Sequence, residues 1–227
     1  MSALRSARYA LLLPLAVALT AAAGEIRVTV SVLDAEKNAV PGAGTVVWVV
    51  DPAAARRAAP GARPKIASKD KRFDPHVAVV PMGGTVQFPN LDRIYHNVFS
   101  LSEKARFDLG LYRNGASRTM SFETPGPVRI YCNIHPQMAA ILVVIDGAIW
   151  AQAGSDGTAV LGDVPAGKAT VRAWDERGGD FTGVVDVPAG GAASLAISLD
   201  GSAFRDAGHK NKYGKDYPPP DDDGNQY

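Results

Sequence analysis

Short β-branched and apolar runs separated by turn residues recur along most of this chain, and around the Gly83-Gly84 turn apolar and polar positions alternate with a period of two, the spacing of half-buried strands. Val28-Thr-Val-Ser-Val-Leu33 and Thr45-Val-Val-Trp-Val-Val50 are β-branched runs flanking the turn-rich "DAEKNAVPGAG", which predicts a hairpin-like pair. Residues 51–72, "DPAAARRAAPGARPKIASKDKR", break the pattern. Their prolines, glycine and seven basic residues against Asp51 and Asp70 predict a basic surface loop or short helix. From Phe73 the strand signals return in "HVAVVPMGGTVQFPN", "YHNVFSL", "SRTMSFETPGPVRIYC" and "AAILVVID". Residues 148–200 carry Asp-Gly and Pro-Ala-Gly turns between further strands and predict a second β unit. No long amphipathic helix is visible. The pattern therefore predicts an all-β fold: a sandwich over 24–147, with 51–72 as a basic loop insertion, followed by a smaller β module. The remainder, 201–227, ends in "HKNKYGKDYPPPDDDGNQY" and reads as an extended, disordered tail.

Composition changes this picture in only one place. Lys and Arg number 24 against 23 Asp and Glu, so no global charge argues for nucleic acid or an anionic membrane as partner. The start does matter: Arg5 and Arg8 precede an apolar run from Tyr9 to Thr20 that ends in small residues. This is the pattern of a secretory signal peptide cleaved after Ala23. The run falls short of the roughly 20 residues needed to cross a bilayer, so the expectation is an exported, periplasmic protein without stable membrane insertion.

Export makes the cysteine count informative, because exported proteins generally use cysteines in pairs and this chain has one, Cys132. It is an inert buried thiol, an intermolecular link or a metal ligand. The stretch "CNIHPQM" decides which chemistry to consider: Cys132, His135 and Met138 put a thiolate, an imidazole and a thioether within seven residues. A tight loop between strands can aim all three at one point, and such a set with a second imidazole suits copper. His96, expected at the start of a strand after the Asn90–Asp92 turn, supplies that imidazole. His76 and His209 read as surface histidines, and Met82 and Met120 as packing residues.

These residues carry a resemblance. "PNLDRIYHNVFS" followed by "FETPGPVRIYCNIHPQM" is similar to the paired ligand segments of the cupredoxin family, and the Cys-x-x-His-x-x-Met spacing with Pro136 resembles the short amicyanin-type loop. Residues 154–174, "GSDGTAVLGDVPAGKATVRAW", resemble a carboxypeptidase regulatory-like module, with Thr158 and Ala159 where an aromatic usually stands. That layout is similar to exported cupredoxin-like proteins labelled methylamine utilisation proteins. The resemblance implies a Greek-key cupredoxin sandwich, one copper per chain held by His96, Cys132 and His135, and a weak axial contact from Met138. It further implies that the Asn97 backbone amide donates to the cysteine sulfur while its side chain ties the two ligand loops. The exit route for electrons would then be His135, reaching the surface among Pro136, Ala139 and Ala140.

The function so implied is a one-electron carrier, not an enzyme. Four histidines are too few for a multicopper oxidase, and one cysteine too few for a binuclear copper centre. The expected partner is a redox protein, acidic if segment 51–72 steers it, and the chain is expected to be monomeric. The competing reading is a copper-binding accessory or adhesion-like protein whose C-terminal β module does the interacting.

Overall fold

The computed structural model describes residues 22–205 and 208–217, so the signal-peptide reading lies almost wholly outside the described residues. Strands β1 (Gly24–Leu33), β2 (Ala39–Pro41) and β3 (Val46–Val49) lead into a short helix, α1 (Pro52–Ala58). A hairpin of β4 (Ala67–Lys69) and β5 (Arg72–Asp74) precedes β6 (Val77–Pro81), β7 (Gly84–Pro89), β8 (His96–Ser100) and β9 (Phe107–Tyr112). Next come β10 (Ser117–Phe122), β11 (Gly126–Tyr131), β12 (Ala139–Ile145) and β13 (Trp150–Gln152). The last strands are β14 (Thr158–Val164), β15 (Gly167–Asp175), β16 (Gly179–Val187) and β17 (Ala192–Asp200). The fold is all-β, as the alternation predicts.

The pairing corrects the expected domain order. β1 and β3 do not form a hairpin and do not join the central sandwich. β1 lies between β14 and β17 in one sheet, with β2 on its flank, and β3 lies between β13 and β15 in another, with β16 at its edge. The first strands thus complete the C-terminal unit, and residues 51–146 are inserted between its halves. The physical reason is length of contact: β1 runs parallel to β17 from Glu25 opposite Ala192 to Leu33 opposite Asp200, whereas locally it meets only the three residues of β2. Alternation specifies which face of β1 is buried, not which strand lies beside it.

The inserted unit has a five-stranded sheet, β6-β12-β11-β8-β9, facing the pair β10-β7. Between them lies a core of Val80, Val86, Phe88, Val98, Phe122, Val128, Ile130, Leu142 and Val144. The outer unit packs its two sheets around Ile26, Val28, Val30, Val47, Leu161, Val171 and Ile197. A third cluster joins the units: Ile141, Val143 and Ile145 of β12 meet Val46 and Trp48 of β3 and Trp174 of β15. This explains why "AAILVVI" and "VVWV" are continuously apolar rather than alternating. Each strand sends one set of side chains into its own sandwich and the other into the seam.

Entry and exit of the insert are adjacent, since the Asp51 amide donates to the Asp146 carbonyl at 2.7 Å. A Cβ at Gly147, the next residue, would fall 1.9 Å from the Val49 carbonyl oxygen. Only glycine lets the backbones cross so closely. The basic segment is also more structured than a surface loop. The Asp51 carboxylate caps α1 by accepting from the Ala54 amide at 2.8 Å, Pro52 opens the helix, and Ala55 and Ile66 are wholly buried in the inserted core.

Candidate metal centre

His96 is the first residue of β8, and the turn before it is shaped by Asn90. The buried Asn90 side chain donates to the carbonyls of Ile94 (2.8 Å) and Tyr112 (3.0 Å) and accepts from the Asp92 amide (3.0 Å). This brings Asp92 under the ring, where its Oδ2 accepts from His96 Nε2 at 2.7 Å. A carboxylate can only accept, so Nε2 carries the proton and Nδ1 presents a lone pair.

Cys132 follows the last residue of β11, and the loop to β12 carries His135 and Met138. The loop closes on itself: the Met138 amide donates to the His135 carbonyl at 3.0 Å, and the Cys132 amide to the Met138 carbonyl at 3.3 Å. Cys132 Sγ then lies 3.9 Å from His96 Nδ1 and 3.7 Å from His135 Nδ1, and the two rings are 4.8 Å apart between centroids. The three ligand atoms lie within 4.8 Å of one another, and all three residues are buried. Met138 is wholly buried in the same core cluster as Cys132.

These separations can be compared with what a metal requires. Bonds of about 2.3 Å to a thiolate and about 2.0 Å to an imidazole, in a trigonal plane, separate sulfur and nitrogen by about 3.7 Å. The two sulfur–nitrogen distances, 3.9 and 3.7 Å, fit. A single bound cation would engage the sulfur and both ring nitrogens at once.

The surroundings favour such a cation. Burial pushes the Cys132 thiol up from its ordinary pKa, outweighing the backbone amides of Asn97, Ile134 and His135 directed at the sulfur. Those amides are nonetheless preplaced donors to a thiolate. Asn97 also spans the two ligand segments: its Oδ1 accepts from the Asn133 amide at 3.3 Å, and its Nδ2 donates to Asp108 at 2.6 Å.

Two carboxylates in this arrangement escape a reading of the sequence. Asp92 is held by His96 and also by the amides of Asp70 (2.6 Å) and Lys71 (2.9 Å) at the β4–β5 turn. Burial would raise its pKa, but the hydrogen bonds from Lys71, His96 and Asp70 bring it below the usual carboxylate value. Asp70 and Lys71 both have positive φ, 53° and 52°, the tight two-residue turn that points their amides at one carboxylate. The basic segment thus braces a candidate ligand. Asp108 similarly stays below its ordinary value: burial raises it, while Lys212, Gly110 and Asn97 donate to it.

Three expectations are corrected. His135 does not reach the surface: it is 2% exposed, and Ala140 is 1% exposed, so the proposed apolar exit patch is largely closed. The tail is not wholly detached, because residues 208–217 pack beside the ligand loop. His209 is not a free surface histidine either; its ring stacks on Tyr131 with centroids 3.9 Å apart and planes 17° apart. The sequence signal that could have found this is the aromatic content of the tail, Tyr213 and Tyr217. His76 lies apart from the cluster and pairs through Nε2 with Glu176 at 2.8 Å, linking the inserted and outer units. Met82 and Met120 pack in or against the inserted core, as expected.

No family model matches the chain, and no curated protein matches it. Among solved structures, a copper-containing nitrite reductase from Thermus scotoductus is 23% identical over 38% of this chain, with a TM-score of 0.36. This match spans 23% of the nitrite reductase, about a quarter of its length. A purple cupredoxin from Nitrosopumilus maritimus is 22% identical, covering 36% of this chain and 98% of its own, at a TM-score of 0.32. Amicyanin from Paracoccus versutus is 18% identical, covering 42% of this chain and 90% of its own, at 0.34. Overlaps of this size do not identify a family, and the reading of the centre rests on its own geometry.

Proposed function

We propose that this chain is an exported one-electron carrier with one copper ion, held by Cys132 Sγ and the Nδ1 atoms of His96 and His135, with Met138 as a weak fourth contact. The observation that carries the reading is the convergence of one thiol and two imidazole nitrogens, 3.7 to 3.9 Å from the sulfur, in a buried position. Copper, when bound there, supplies a one-electron couple.

The protein's own groups supply the rest. Asp92 fixes the ring of His96, the Asn97 amide and side chain hold the sulfur and the ligand loop, and paired strands on both sides restrain ligand movement. Small ligand movement is what keeps the cost of changing oxidation state low. The reading is non-enzymatic. Segment 51–72 keeps its basic side chains exposed, which supports an acidic redox partner met by the monomeric protein.

Substitution of Cys132 by Ser tests the reading. The copper-loaded protein should show an intense visible thiolate charge-transfer band that Cys132→Ser abolishes without changing the far-UV circular dichroism. A band that survives the substitution, or never forms, refutes it. Burial of His135 favours a second reading, a copper-binding accessory protein with a closed site. Rapid, reversible one-electron reduction by a small dye supports the carrier; a centre that holds copper but exchanges electrons only over hours supports the accessory protein.

A further inference from the structure

After β17 the chain leaves the outer unit and returns to the metal-site end of the inserted one. There the Tyr217 hydroxyl donates to the carbonyl of Cys132 at 2.9 Å. The Lys212 amide donates to Asn133 Oδ1 at 2.9 Å, and its ammonium meets Asp108 Oδ2 at 2.8 Å. His209, stacked on Tyr131, lies 3.3 Å from the Tyr217 hydroxyl through Nδ1, and the His209 and Tyr217 rings meet edge-on with centroids 5.2 Å apart. Tyr131, Cys132 and Asn133 are consecutive, and each of the three is gripped by a different side chain or amide of this segment.

A polar segment with three lysines and two glycines has no apolar core of its own, and ordering it costs backbone entropy. Its contacts are concentrated on the ligand loop and on Asp108, the carboxylate that also orients Asn97. We propose that residues 208–217 are a strap belonging to the metal centre, which clamps the ligand loop and closes Cys132 from solvent. Tyr217 is its positioning residue, acting on the loop through the Cys132 carbonyl. The strap also gives the outer unit a role: that unit anchors the near end of a segment whose far end closes the centre of the inserted unit. Gly208 and His209, the start of the strap, line the cleft of about 760 Å³ between the two together with Phe204, Trp174, Glu176 and Tyr131.

The metal part of this proposal rests on the copper reading, but the shielding of the thiol does not. Metal-free protein is therefore the starting material: the full chain, a chain ending at Arg205, and Tyr217→Phe. The measured quantity is the rate at which Ellman's reagent labels Cys132. A buried thiol is labelled only through local opening, so truncation should raise the rate roughly tenfold or more and Tyr217→Phe several-fold. The strand amides should keep their exchange protection in all three. Transfer of Cu(I) from the loaded forms to a chelator should accelerate in the same order, and the thiolate band of Tyr217→Phe should shift from that of the full chain.

Equal labelling rates in the full and shortened chains overturn the strap. So does a Lys212 amide that exchanges in the intact protein as fast as in an unstructured peptide. If the shortened chain fails to fold, Tyr217→Phe and the Lys212 amide decide the matter. Labelling that responds while copper gives no thiolate band keeps the strap and removes the electron carrier; the opposite result does the reverse.

Discussion

Asp92 shows how a single residue can determine the chemistry of another. It satisfies three donors from two separate segments, and through Nε2 it sets which nitrogen of His96 faces the sulfur. Replacing it by Asn leaves the size unchanged and removes the charge. Asp92→Asn should weaken metal affinity about 10- to 100-fold, as is usual when the partner of a ligating histidine is lost. Competition against a chelator of known affinity measures this; an unchanged affinity would mean the carboxylate is only a turn residue. Cys132 and His135 were legible in the sequence because their residue types are scarce and stand three apart, and His96 because a scarce imidazole falls at an expected strand start. Asp92 was not, although it stands four residues before His96, because its role depends on a β4–β5 turn more than twenty residues upstream. His209 and Tyr217 were hidden for a similar reason: the tail's tyrosines hint at docking, but their partners Tyr131 and Cys132 lie far upstream in the chain.

At the scale of elements, β3 and β12 carry the architecture. Both are buried on both faces, and their alternate residues feed different cores. Their apolar runs made them recognisable as strands, but periodicity could not show that one belongs to each unit. The expected β1–β3 hairpin failed on the same point: a strand's partner is set by contacts from the far end of the chain. Gly147 tests the crossing where the two strands' segments meet. Because a methyl group there would strike the Val49 carbonyl at 1.9 Å, Gly147→Ala should destabilise the protein by about 1–3 kcal/mol or more. Urea unfolding measures the loss, and a stability equal to that of the parent would show that the crossing can relax freely.

Across the whole molecule, one β unit is interrupted by another, and an apolar cluster joins them along β3, β12 and β15. Trp48 and Trp174 are its largest side chains; Trp48 Nε1 donates to Asp146 at 2.6 Å, and Arg172 lies over the Trp48 ring at 5.2 Å. Trp48→Ala should cost about 3–5 kcal/mol. Because the loss falls on the outer unit and the seam, the outer strands should unfold first on heating while the metal centre persists. Calorimetry followed together with the visible band would resolve the two steps; simultaneous loss of both would show that the inserted unit cannot stand without the seam. All of this surrounds one claim, that Cys132, His96 and His135 share a copper ion. X-ray absorption at the copper edge, on the full chain loaded with one equivalent, tests it most directly. One sulfur and two imidazole nitrogens are the predicted shell, and a shell of nitrogen and oxygen without sulfur would contradict it.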